Sequence, residues 1–155
     1  MRILDILQYK GTSVETITPE RSVHEAIRIM CKRRIGALVV TDGNGAVRGI
    51  VTERDILREC GSMLDKLGSA AQPSMADCAR LVSEIMTVDL VIGVPDDRID
   101  YVMKIMTKNR IRHLPVMDKQ RLVGIVSIGD VVNAHLEETA VENRMLKDYI
   151  RGEPG

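Results

Sequence analysis

Residues 49–55 read GIVTERD, and residues 124–130 read GIVSIGD. Both place a hydroxyl and a carboxylate three positions apart, Thr52 with Asp55 and Ser127 with Asp130. At the start of a helix this spacing makes a capping box: the hydroxyl takes one free N–H and the carboxylate reaches back for another. A carboxylate in the first turn also suits the positive end of the helix dipole. The same groups can bind a ligand. Free N–H groups at a helix N-terminus favour anions. A hydroxyl there can donate to a phosphate or a ribose, and an ionised Asp can accept from both ribose hydroxyls. The backbone of Ile50–Val51 and Ile125–Val126, just upstream, can read an adenine edge. From the residues alone, cap and ligand site both stand.

The segments around these motifs also repeat. Ile17–Val40 lies over Gly93–Val116 at an offset of 76, matching Pro19 to Pro95, Met30 to Met106 and Val40 to Val116. One residue is then lost in a loop, and the GIV motifs align at an offset of 75. Upstream, ILDIL (3–7) resembles VSEIM (82–86), and the first copy carries a small insert at QYKG. Each copy predicts a short apolar stretch ending at a proline, a helix, two β-rich runs and a second helix starting just after the Thr or Ser. Ser22 and Glu25 predict a capping box, with Val23, Ala26, Ile27 and Met30 as an apolar stripe. In the second copy Asp97 is the expected cap, with Ile99, Val102, Met103 and Met106 as the stripe. TDGNG (41–45) signals a hairpin. The unit is β-α-β-β-α, which makes the chain α/β.

Composition narrows the function. There is no Phe, no Trp and only three Tyr, so the core is aliphatic and a flat ligand meets aliphatic surfaces. Lys plus Arg and Asp plus Glu number 22 each, which gives no global attraction to nucleic acid or anionic membrane. No apolar run approaches the roughly 20 residues of a membrane span, and the first residues make a poor signal peptide. A cytoplasmic protein is expected. Cys31, Cys60 and Cys78 form no zinc pattern and read as reduced, buried or half-buried thiols. His24 and His135 read as solvated, and no metal site is expected. There is no P-loop, no dinucleotide fingerprint, no HExxH and no GxSxG, so no enzyme is expected.

Two β-α-β-β-α copies, each ending in Gly-apolar-x-(Thr/Ser)-x-x-Asp, resemble a tandem pair of cystathionine-β-synthase (CBS) domains. RRIGALVV, TERDILR, NRIRHLPV, GIVSIGDVV and LKDYI are similar to the small stand-alone CBS-pair proteins of bacteria and mitochondria. The resemblance covers roughly residues 1–138, with a first CBS domain at 1–66 and a second at 81–138; the glycines, serines and proline between them read as a linker at 67–80 with one short helix, and residues 139–155 as a C-terminal helix with a fraying tail. It implies two repeats packed as one pseudo-symmetric module with adenosine-binding clefts between them. The ligands implied are AMP, ADP, ATP or NAD(H), with no obligatory cofactor. Thr52, Asp55, Ser127 and Asp130 then contact ribose or phosphate. Arg112 and His113 stand where the family's kinase-regulating gamma subunits grip phosphate. Gly36 and Ala37 stand there in the first copy and lack such donors, although Arg33, Arg34 and Arg54 are near in sequence. The resemblance also implies a homodimer and a regulated protein partner. The alternative is a ligand-free interaction module.

Overall fold

The computed structural model describes residues 1–68 and 79–152. The short helix expected in the linker, Cys78 and the last residues of the tail lie outside the described residues. The chain forms two compact units, Val14–Leu90 and Met1–Ser13 with Val91–Gly155.

The unit Val14–Leu90 holds β1 (Thr16–Ile17), α2 (Val23–Arg33), β2 (Ala37–Thr41), β3 (Val47–Thr52), α3 (Glu53–Leu67) and α4 (Val82–Ile85). Its sheet order is β1-β2-β3, with β1 parallel and β3 antiparallel to β2. The other unit holds α1 (Ile3–Lys10), α5 (Ile99–Asn109), β4 (His113–Asp118), β5 (Arg121–Ser127) and α6 (Ile128–Arg151). There β4 and β5 pair antiparallel, and Gly93 alone bridges to Val116 in place of a first strand. The repeat reappears as register. Ile17 pairs with Val40 as Gly93 does with Val116, and Leu38 with Val51 as Leu114 does with Val126. Both hairpins slip at the same place, after Val40 and after Val116.

The local signals explain most helix ends. Ser22 Oγ accepts from Glu25 N–H at 3.1 Å, and Glu25 Oε2 accepts from Ser22 N–H at 3.1 Å, the expected box. Val23, Ala26 and Met30 are buried, as are Ile99, Val102 and Met106. Helices α2 and α5 both stop on an arginine in the left-handed region, Arg34 and Arg110, each at φ 54°. Asp97 is not the cap of α5. That place belongs to Arg98, and the Asp97 carboxylate, one residue early, closes a turn by accepting Val94 N–H at 2.9 Å. Cys31 is exposed rather than buried, being off the α2 stripe; Cys60 is half-buried. His24 is half-buried. So is His135, one turn beyond the buried Val131, and its Nδ1 is buried with no hydrogen-bond partner among the described residues.

The short apolar helices that open each repeat are exchanged. Ile3 N–H donates to Asp97 O at 3.0 Å and Leu4 N–H to Pro95 O at 2.9 Å, while Ile99 N–H donates to Met1 O at 3.2 Å. Seventy-six positions earlier in the docking partner, Val82 N–H donates to Arg21 O at 2.8 Å, Ser83 N–H to Pro19 O at 3.0 Å, and Val23 N–H to Arg80 O at 2.7 Å. Helix α1 therefore closes the core of the second repeat, and α4 that of the first. Ile3, Ile6 and Leu7 are buried by this docking; each aliphatic side chain so covered contributes about 1.5–3 kcal/mol as an upper estimate.

Each motif glycine receives the docked segment, α1 itself at Gly124 and the residues just after α4 at Gly49. A Cβ on Gly49 would lie 2.7 Å from the Thr87 backbone oxygen; one on Gly124 would lie 2.5 Å from Leu7 Cδ2. Backbone cannot yield cheaply, whereas a leucine terminus can rotate. Gly49→Ala should therefore lose about 1–3 kcal/mol, the range for overpacking, and Gly124→Ala less. Urea denaturation followed by circular dichroism checks this order, and equal losses would contradict it.

Candidate functional site

In both units a strand runs straight into a helix, and the motif sits at the corner. Thr52 and Ser127 are the N-caps of α3 and α6, both with extended backbone. The preceding Val51 and Val126 are fully buried core residues paired with Leu38 and Leu114, so their side chains belong to the core. Ile50 is buried and Ile125 half-buried.

The corner brings the other singled-out positions together. Ala37 is in register with Thr52, and His113 with Ser127. Gly36 O accepts Glu53 N–H at 3.0 Å, and Arg112 O accepts Ile128 N–H at 2.8 Å, so one backbone bond clasps each helix start to the neighbouring strand. Gly36–Ala37 and Arg112–His113 thus border equivalent helix N-termini. Of the arginines near in sequence, Arg33 pairs with Glu15 at 3.4 Å and Arg34 ends α2.

The two carboxylates differ. At Ser127 the capping box is complete: Ser127 N–H donates to Asp130 Oδ2 at 2.8 Å, and Asp130 N–H to Ser127 Oγ at 3.1 Å. Lys10 Nζ then adds a 2.6 Å ion pair to Asp130 Oδ2 and a 3.0 Å bond to Ile125 O. At Thr52 the N–H donates to Asp55 Oδ2 at 2.8 Å, but the hydroxyl turns onto the same oxygen at 3.2 Å. Thr87 Oγ1 donates to Asp55 Oδ1 at 3.3 Å, and Arg58 Nη1 lies 3.6 Å from it. Asp55 is 6% exposed, the one buried charged side chain among the described residues; burying a carboxylate is costly unless donors surround it. The Asp130 side chain keeps 27% exposure.

Ile50 and Ile125 differ as well. Ile50 N–H donates to Thr87 O at 3.0 Å and Ile50 O accepts Thr87 N–H at 2.9 Å, so its outward backbone edge is already paired. At Ile125 the carbonyl meets the Lys10 ammonium instead.

A family profile described as CBS domain matches residues 8–62 and 82–137. The chain belongs to the CBS domain family. It is 34% identical to the mitochondrial CBS domain-containing protein CBSX3 of Arabidopsis thaliana, over 97% of this chain and 72% of that one. The crystal structure of the CBS-domain containing protein ATU1752 from Agrobacterium tumefaciens superposes with a TM-score of 0.76 at 40% identity, covering 87% of this chain and 99% of that one. The CBS domain pair of protein MJ0100, solved with 5′-methylthioadenosine and S-adenosyl-L-methionine, superposes with a TM-score of 0.69 at 27% identity, covering 89% and 98%. The expected α/β pair of CBS repeats is therefore the fold. Among the described residues no helix is long and apolar enough to cross a membrane, and no cluster of three His, Cys, Asp or Glu side chains could hold a metal.

Two residues of this CBS pair escaped the motif reading, Lys10 and Thr87. Each lies just downstream of ILDIL or VSEIM, Lys10 in the last turn of α1 and Thr87 past the end of α4, and lands on the motif of the opposite copy. The QYKG insert was the visible sign of Lys10.

Burial raises the Asp130 pKa, but the Lys10 ammonium and the Ser127 N–H and hydroxyl together bring it below the ordinary 3.8. A depressed folded pKa adds stability above the unfolded value and loses it as pH falls through the folded one. Asp130→Asn should therefore be less stable than wild type at neutral pH, and the gap should close below about pH 3.8. Thermal melts of both proteins across acid pH measure it; a gap independent of pH would contradict the assignment.

Proposed function

We propose that this CBS pair is a regulatory sensor of adenosine-containing nucleotides, with AMP, ADP, ATP and NAD(H) as the candidate ligands. The observation that carries this reading is Asp130: a carboxylate held at a helix N-terminus, beside a strand edge, with part of its surface open. Its geometry suits acceptance from a ribose diol. Both ligands named for the MJ0100 pair are adenosine compounds, which supports the same class here. Arg112 and His113 border the same helix N-terminus, where phosphate would gain from cationic donors. In the first repeat Asp55 and Thr52 retain the residue types, but Thr87 and burial leave less of them to a ligand, and Gly36–Ala37 add no side-chain donor. The second motif is therefore the stronger site. Occupancy would act by differential binding, favouring one conformation that a protein partner reads. Cytoplasmic action without catalysis belongs to the same reading.

Scanning fluorimetry with adenosine, AMP, ADP, ATP and NAD(H) tests it. A bound ligand must raise the melting temperature with concentration, and Asp130→Ala should weaken binding by about 1.5–3 kcal/mol, the range for a charged hydrogen bond. No shift with any of these compounds would favour the ligand-free interaction module instead.

The chain also reads as a homodimer. Of the candidate faces, Val23–Met30, Ile99–Met106 and the C-terminal helix, the α2 and α5 stripes are buried inside their own units, and α6 is the face that stays exposed. Val141, Met145, Leu146, Tyr149 and Ile150 lie 52–84% exposed along it. Glu137, Glu138 and Glu142 cluster toward its start, and Arg144, Lys147 and Arg151 toward its end with Asp148 among them, so an antiparallel copy would set the more acidic end against the more basic one. Wild type should sediment as a dimer at tens of micromolar, and Leu146→Glu with Ile150→Glu as a monomer. A monomeric wild type would remove this part of the reading.

A further inference from the structure

The two motifs are met by different groups from the exchanged helices. Helix α4 spans four residues, Val82–Ile85, and the chain then lays Thr87 against the first motif. Helix α1 spans eight, Ile3–Lys10, because QYKG extends it by a turn. That turn delivers Lys10 to the second motif. A neutral backbone pairing closes one motif, and a part-exposed cation sits on the other.

Lys10 Nζ lies 2.6 Å from Asp130 Oδ2 and 3.0 Å from Ile125 O. These are the two acceptors that an adenosine would use, the carboxylate for ribose and the strand carbonyl for the adenine amino group. The ammonium thus stands where ligand donors would stand. Its side chain is 38% exposed, and such a pair holds weakly against water and salt. A four-carbon stem lets the charge move without moving α1. Beside the pair opens a cavity of about 460 Å³, edged by Asp5, Tyr9, Lys10, Asp130, Asn133 and Glu137 among others. Lys10 is the one basic side chain among the described residues that line it; the Met1 ammonium at its edge is held by Glu138 at 2.6 Å, and Asp5 and Glu137 would repel an anion that Lys10 did not meet.

We propose that Lys10 makes the second site selective for phosphorylated adenosine ligands. In the empty protein it neutralises Asp130. A ribose displaces it, and the released ammonium pairs with the ligand's phosphate. Adenosine alone breaks the ion pair and offers nothing in return; AMP returns a partner. This inference rests on the sensor reading above and deepens it.

Calorimetry of wild type, Lys10→Met and Lys10→Arg with adenosine and with AMP decides it. Wild type should prefer AMP. Lys10→Met should bind adenosine more tightly than wild type does and should lose about tenfold of the AMP-to-adenosine ratio, one charged hydrogen bond. Lys10→Arg should keep the preference. A purely structural lysine would weaken both ligands together. That result, or an unchanged ratio in Lys10→Met, overturns the inference while leaving the sensor reading intact. If wild type binds no adenosine compound, the sensor reading falls and this inference falls with it.

Discussion

A strand that turns directly into a helix leaves the amides of the first helical turn without partners. In both repeats a carboxylate three residues on folds back to the last strand residue and takes up one of them. The corner depends on this contact. It fixes where β3 and β5 end and where α3 and α6 begin. Just upstream, a glycine with no Cβ lets the docked segment lie directly against the strand. What docks there also reaches the carboxylate, through Thr87 in the first repeat and Lys10 in the second. Capping, helix docking and ligand access are therefore one problem in this fold, and the two repeats solve it differently.

In the first repeat the solution is enclosure. Asp55 is surrounded by Thr52, Thr87 and Arg58, and the Ile50 backbone continues into Thr87 as a short ladder. In the second it is an ion pair, open to water on one side. The Gly93–Ile17 difference fits the same division. A side chain on Gly93 would strike Ile3 Cδ1 and Leu114 Cδ2, each at 2.8 Å, whereas Ile17, the matching position of the other unit, is itself part of the core. A duplicated sequence has become two unequal corners through one helical turn.

Much of this was legible in the residues. The offsets of 76 and 75 return as strand register, and the Ser22–Glu25 box and Ser127–Asp130 box form as spelled. Local spacing carries such features because the interacting atoms are three or four positions apart. The exchange of α1 and α4 was not legible. ILDIL and VSEIM show that a face must be buried, but both copies offer the same receiving surface, so pattern cannot choose between them. Lys10 and Asp130 lie 120 positions apart, and no periodicity links them. Asp97 was misplaced by a single residue, since a side chain that suits a cap suits the preceding turn equally well. His135 was misread because one more turn of the buried stripe passes beneath it.

The exchanged helix also sets an order of assembly on the ribosome. Val14–Leu90 contains everything its own core needs, including α4, and is complete before Val91 is made. Helix α1 is synthesised earlier than all of it, yet its seat at Pro95–Ile99 and Gly124 comes last. At roughly 5–20 residues per second, the apolar edge of Ile3, Ile6 and Leu7 waits several seconds with nothing of its own to cover it. Non-local closure of this kind is slow even once the whole chain is free. The species most exposed to aggregation or to a chaperone is thus a nascent chain with one unit finished and the first piece of the other still unclaimed.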